Sequence, residues 1–240
     1  MSAGKLYGVS LGPGDPELLT LKAARILDAV PVLAWFAKQG HASNGRAIIA
    51  GRLRADMVEL PLLYPVTTEI PMTDPAYRAA LDAFHDEAAS RIAAHLDAGR
   101  DVAVASEGDA LFYGSYMHLH IRLAHRYRTE VVPGVTAMAG AAALAGVPLA
   151  QGDDVLSVLQ ATLDEDTLTE RLRGSDAAVI MKLFRHLPRV RAALARAGRL
   201  DGAIYAERVG TPAQRVLPLA EHDGAPVPYF SLVLVPGWAR

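Results

Sequence analysis

Residues 6–27 read LYGVSLGPGDPELLTLKAARIL, and this stretch decides the architecture. "KLYGVSL" reads as a buried strand that ends in two glycines around Pro13. Asp15 is placed to cap the helix that follows, with Pro16 at the first helical position, where its missing N–H costs nothing. Leu19, Ala23, Ile26, Leu27 and Val30 then recur at helical spacing. A dinucleotide fingerprint would need glycines at Gly12, Gly14 and position 17, but position 17 holds Glu17. No acid stands about 20 residues further on at the end of a second strand, so a dehydrogenase is the weakest reading.

Working outward, the alternation of strand and helix continues. "PVLAWF" reads as a strand, whereas Lys38 to Arg54 gives no clear element. Asp74 and Pro75 repeat the cap-and-proline start, and Tyr77, Leu81, Phe84, Ala88 and Ile92 form one apolar stripe before Gly99. "DVAVAS" is a strand, and "EGDALFYGS" is a loop into a helix that runs through His125. The second half continues with strand "EVVPG", helix "TAMAGAAALAG", strand "VLSVLQAT", a helix from Asp164, strand "AAVIMKL" and helix "PRVRAALARAG". Strands "AIYAERV", "QRVLPLA" and "YFSLVLV" finish the chain, the last expected as a fully buried strand or a dimer edge. This pattern predicts an α/β fold of two α/β domains, 1–126 and 127–240, with the boundary between Arg126 and Thr129.

The 240 residues are 51% hydrophobic and 21% charged, enough apolar material for a substantial core. A formal net charge of −2 argues against a protein built to hold nucleic acid or an anionic membrane. The absence of cysteine excludes disulfides, thiolate metal sites and cysteine catalysis. No apolar run reaches the ~18 residues of a membrane span, and no secretory leader is read, so a soluble cytoplasmic protein is expected. His118, His120 and His125 share one predicted helix, but a metal needs a tighter ligand set, and no metal site is expected.

Three strand-to-turn stretches carry small residues where a ligand could approach the backbone: "LGPGDP" at 11–16, "SEGDALFYGS" at 106–115 and "VVPGVTA" at 131–137. Ligands of open α/β sheets sit at the carboxyl ends of strands, so these turns are the place to look. Together with "MKLF" and "ERVGTP" they resemble, in order and over nearly the whole chain, the tetrapyrrole (corrin and porphyrin) methylases. "SEGDALFYGSYMHLH" and "VIMK" favour the branch that methylates a meso carbon.

The resemblance implies two α/β domains, S-adenosylmethionine (SAM) in a cleft between them, a tetrapyrrole substrate and a homodimer. It implies that Pro13 belongs to the turn that floors the cleft, and that Glu107, Gly108, Asp109 and Phe112 lie along the SAM. Thr136 and Ala137 match a pair beside the cofactor, and Met181 a methionine near its adenine. Ala110 stands where the family usually has proline, so the loop loses a preset angle, and Ala110→Pro is expected to tighten SAM binding.

Methyl transfer to a meso carbon leaves a proton to be removed, for which Glu107 and its neighbour Tyr113 are the candidates. A substrate with many carboxylate arms wants cations, and Lys38, His41, Arg46, Arg52 and Arg54 follow the second strand. Asp15 is a helix cap first and a substrate contact second. Rival readings are another ring position, a protein histidine or ribosomal RNA ribose as acceptor, and a non-catalytic tetrapyrrole carrier. The RNA reading asks for a basic face that the net charge does not support.

Overall fold

A computed structural model describes residues 2–67, 70 and 74–237. Among these residues the chain forms two compact units, divided after Thr136, each built on a five-stranded sheet.

The first unit runs β1 (Leu6–Ser10), α1 (Leu21–Ala29), β2 (Val32–Lys38), α2 (Asn44–Ile48), β3 (Val58–Tyr64), α3 (Pro75–Asp97), β4 (Val102–Ser106), α4 (Tyr116–Leu123) and β5 (Thr129–Val132). Its strands are parallel in the order β3-β2-β4-β1-β5. Parallel strands covered on both faces are apolar almost throughout, and β4, VAVAS, is buried at all five positions. The period of two sends Val102 and Val104 into the core beneath α3 and α4. Ala103 and Ala105 face α1 and α2. The chain leaves β1 towards β2 and leaves β4 towards β5, so the connections of these two neighbours depart in opposite directions. That makes the carboxyl ends of β1 and β4 the switch point of the sheet, where such folds hold ligands.

Two expectations change, and one strand is added. Asp15 caps only a single 3₁₀ turn, Pro16–Leu18, and α1 starts afresh at Leu21 behind Thr20, whose Oγ1 accepts the Ala23 N–H at 3.1 Å. Strand β3 arises in a run that was not assigned; Pro61 within it is tolerated because β3 is an edge strand. Strand β5 pairs with β1, so the first unit extends to Thr136, ten residues past the expected end at Arg126.

The second unit runs α5 (Ala137–Ala145), β6 (Leu156–Gln160), α6 (Glu165–Arg173), β7 (Ala177–Met181), α7 (Leu187–Arg196), β8 (Ile204–Glu207), β9 (Arg215–Pro218) and β10 (Ser231–Val235). The order is β6-β7-β10-β8-β9, with β6 and β7 parallel and the remaining pairs antiparallel. Helices α6 and α7 pack one face through Leu168, Leu172, Val190 and Leu194. Helix α5 packs the other against Val179, Ala206, Leu232 and Leu234. Strand β10 lies between β7 and β8 with all five residues buried, so the SLVLV part of "YFSLVLV" is an interior strand and its dimer-edge alternative falls, while Tyr229 and Phe230 before it are exposed.

Candidate functional site

The turns after β1, β4 and β5 are keyed together by their backbones. Gly12 N donates to Gly108 O at 3.2 Å, and Gly108 N returns a bond to Gly12 O at 2.7 Å. Gly134, in the turn after β5, lies against both: a Cβ there would stand 2.4 Å from Ser10 Cβ and 2.8 Å from Gly108 O. Only glycine permits that approach. The sequence's three glycine-bearing turns thus converge at one end of one sheet, with half-buried Pro13 at the first turn.

Asp109 is the clip. Its Oδ1 accepts from Leu111 N at 2.9 Å and its Oδ2 from Gly134 N at 3.0 Å, so both oxygens serve the loop's own shape. These two bonds position backbone. Ala110 N donates to the buried Ser10 Oγ at 2.9 Å. A proline has no N–H to give, so the expectation that Ala110 slackens the loop is overturned: a hydrogen bond replaces the ring. Beyond it Phe112 and Tyr113 meet edge-on at 4.9 Å. Tyr113 holds φ +56°, a left-handed conformation that side chains avoid, and such strain clusters at functional sites.

Glu107 adds the chemical group. Its Oε1 accepts from Gly45 N in α2 at 2.8 Å. Burial pushes its carboxyl above the ordinary range, and hydrogen bonds from backbone N–H groups oppose part of that rise. Beside it the buried Ser106 hydroxyl has no partner among the described residues.

The basic segment looks different from its expectation. Arg46 grips Glu59 with two bonds, Nε to Oε2 at 2.6 Å and a terminal nitrogen to Oε1 at 2.9 Å, and the Trp35 indole donates to the same carboxylate at 2.9 Å. Arg52 pairs with Asp28 at 2.9 Å. Arg54 closes the end of α1 by donating to the carbonyls of Leu27, Asp28 and Val30. The guanidinium forks expected to meet substrate carboxylates are therefore committed within the unit, because β3 brings Glu59 alongside β2. Lys38 ends β2, and exposed His41 lies in the turn after it. Asp15 Oδ1 accepts from Glu17 N at 2.8 Å, as a cap does.

In the second unit, Met181 is the last residue of β7 and Gln160 the last of β6, paired side by side in register. Both the nitrogen and the oxygen of the Gln160 amide are buried without a hydrogen-bond partner among the described residues. Just past Met181, Lys182 (φ +60°) and Phe184 (φ +29°) hold left-handed conformations, and burial lowers the Lys182 ammonium pKa. Ala137 opens α5 directly after Thr136 and packs on the same apolar cluster as Met181. A lone glutamine ending an apolar strand carries no sequence pattern, so Gln160 was not anticipated.

The histidines of α4 are engaged locally: His118 stacks on His85 at 4.2 Å, and His120 Nδ1 lies 3.3 Å from the Tyr116 hydroxyl. Among the described residues no cluster of three or more metal-ligating side chains occurs, and no helix is long and apolar enough to cross a membrane.

The sequence profile of the tetrapyrrole (corrin/porphyrin) methylases matches residues 5–222. A precorrin-2 C(20)-methyltransferase from Sinorhizobium sp is 58% identical over 238 residues, spanning 99% of this chain and 97% of the relative. The cobalt-precorrin-2 C(20)-methyltransferase of Salmonella typhimurium is 34% identical over 97% of this chain and 96% of its own length. Among solved structures, the uroporphyrin-III C-methyltransferase of Thermus thermophilus complexed with S-adenosylhomocysteine superposes with a TM-score of 0.64 at 23% identity, covering 99% of this chain and 94% of that one.

Proposed function

The chain belongs to the tetrapyrrole (corrin/porphyrin) methylases, and from that membership we propose that it methylates the C-20 meso carbon of precorrin-2, giving precorrin-3A in cobalamin biosynthesis, with SAM as methyl donor. The observation that carries this reading is the 58% identity, end to end, with a precorrin-2 C(20)-methyltransferase. The lower identity, 34%, to the relative that acts on cobalt-precorrin-2 favours the metal-free macrocycle. The reading places the enzyme in the cytoplasm as a homodimer.

The residues suit an S-adenosyl ligand. Methionines and alanines of the second unit offer a flat apolar surface beside a carboxamide that has no partner among the described residues, which matches a purine better than a phosphate. Gly12, Pro13, Gly108 and Gly134 present backbone held by the Asp109 clip, a preorganised surface rather than a set of charged side chains. Pro13, Glu107, Gly108, Asp109, Phe112, Thr136, Ala137 and Met181 are the residues we assign to the cofactor. When bound, SAM supplies an electrophilic methyl group to the electron-rich meso carbon. The rest is positioning, which can be worth about 7–11 kcal/mol for a well-aligned pair.

Removal of the meso proton falls to Glu107, whose burial raises its affinity for a proton. A carboxylate whose pKa is raised by burial is the stronger base. Tyr113 borders the same loop. Lys38 and His41 are assigned to the substrate's carboxylate arms.

The test is an anaerobic incubation with precorrin-2 and methyl-labelled SAM, read by mass spectrometry and NMR. One labelled methyl at C-20 is expected. Label on another ring carbon would move the chain elsewhere in the family, and binding without transfer would make it a carrier.

A further inference from the structure

Gln160 closes β6, and its register partner Met181 closes β7. Registered neighbours of a parallel pair point the same way. The preceding pair, Leu159 and Ile180, lies in the core beneath α6 and α7. Gln160 and Met181 therefore face the opposite side of the sheet, the side that α5 covers with Ala137, Met138 and Ala141. There the carboxamide has a buried donor and a buried acceptor, neither with a partner among the described residues. Each unmade bond forfeits the full desolvation of its group, so the arrangement implies a ligand that supplies both partners.

That ligand must be flat and apolar in body, to lie against methionine and alanine, and must present a donor next to an acceptor. Of the parts of an S-adenosyl group, only adenine does so: its 6-amino group adjoins a ring nitrogen, and a glutamine amide engages that pair with two bonds. Methionine sulfur packs well against aromatic rings. We infer that the carboxamide of Gln160 holds the adenine edge of the S-adenosyl ligand and selects adenine among purines. The inference rests on the cofactor reading above and adds a residue that reads the base.

The experiment is calorimetric titration with S-adenosylhomocysteine and with its analogue lacking the 6-amino group, on the wild-type chain and on Gln160→Leu. Leucine keeps the bulk and removes both polar atoms. The wild type is expected to prefer the adenine ligand by about tenfold or more, the scale of one good hydrogen bond to a buried partner. In Gln160→Leu that preference should vanish, because the adenine ligand loses two bonds and the analogue, which keeps the ring nitrogen, only one. Gln160→Glu, with acceptors only, should weaken the adenine ligand as well. An adenine preference undiminished in Gln160→Leu, with an unchanged melting temperature of the free protein, would overturn the inference. Failure of the wild type to bind either ligand would instead overturn the cofactor reading.

Discussion

Ala110 shows how one residue changes the design of a loop. Its N–H is bonded to a buried hydroxyl, so Ala110→Pro should remove that bond and strand Ser10 Oγ. A loss of about 1–3 kcal/mol in urea unfolding is expected, with weaker S-adenosylhomocysteine binding, the reverse of what a preset φ alone would suggest. Glu107 makes the second residue-level prediction. Its folded pKa lies above its unfolded value, so its contribution to stability is present at low pH and lost as pH rises through the folded pKa. Glu107→Gln can keep the bond from Gly45 N–H. It should match the wild type in stability in acid, gain on it at neutral pH, and lose the rise of kcat with pH. Equal kcat profiles in wild type and variant would remove Glu107 as the proton acceptor.

Between elements, the packing of α3 on α4 holds a titratable core. His85 is 2% exposed, and both its ring nitrogens lack partners among the described residues. Burial above all, then the neighbouring His118 and Arg122, push its pKa down to about 4, and Asp82 and Asp86 only partly oppose this. The unfolded chain therefore binds the extra proton first as pH falls. Stability should drop from the ordinary histidine pKa of 6.5 down to about 4, by up to about 3 kcal/mol. His85→Leu should flatten that loss and be at least as stable at pH ~7.5, since no unpaired nitrogens remain; urea midpoints across the range measure both. Elements of this kind were largely legible in the sequence, because buried parallel strands and capped helices announce themselves locally. Strand β3 was obscured by Pro61, whose tolerance depends on an edge position that only the assembled sheet defines. The late start of α1 turned on a choice between two adjacent caps, Asp15 and Thr20. The site was legible as three turns but not as a geometry. Glu107 meets Gly45 across 62 residues, Ser10 meets Ala110 across 100, and Arg46 is neutralised by a strand that had not been seen.

Across the whole molecule, a ligand that binds only the folded chain must raise its stability. S-adenosylhomocysteine at 100 times its Kd should add about 2.7 kcal/mol, visible as a rise of several degrees in Tm. No shift at millimolar ligand would count against an S-adenosyl site. The arginines bonded to acids within the first unit predict something broader. Little of this chain's positive charge in that segment is held ready for a partner, in keeping with a net charge of −2. The bond from Ala110 to Ser10 also reaches into descent. A lineage that carries proline at 110 releases position 10 from its duty, and one that loses the hydroxyl at 10 favours proline at 110. The two positions, far apart in the gene, should be inherited as a pair.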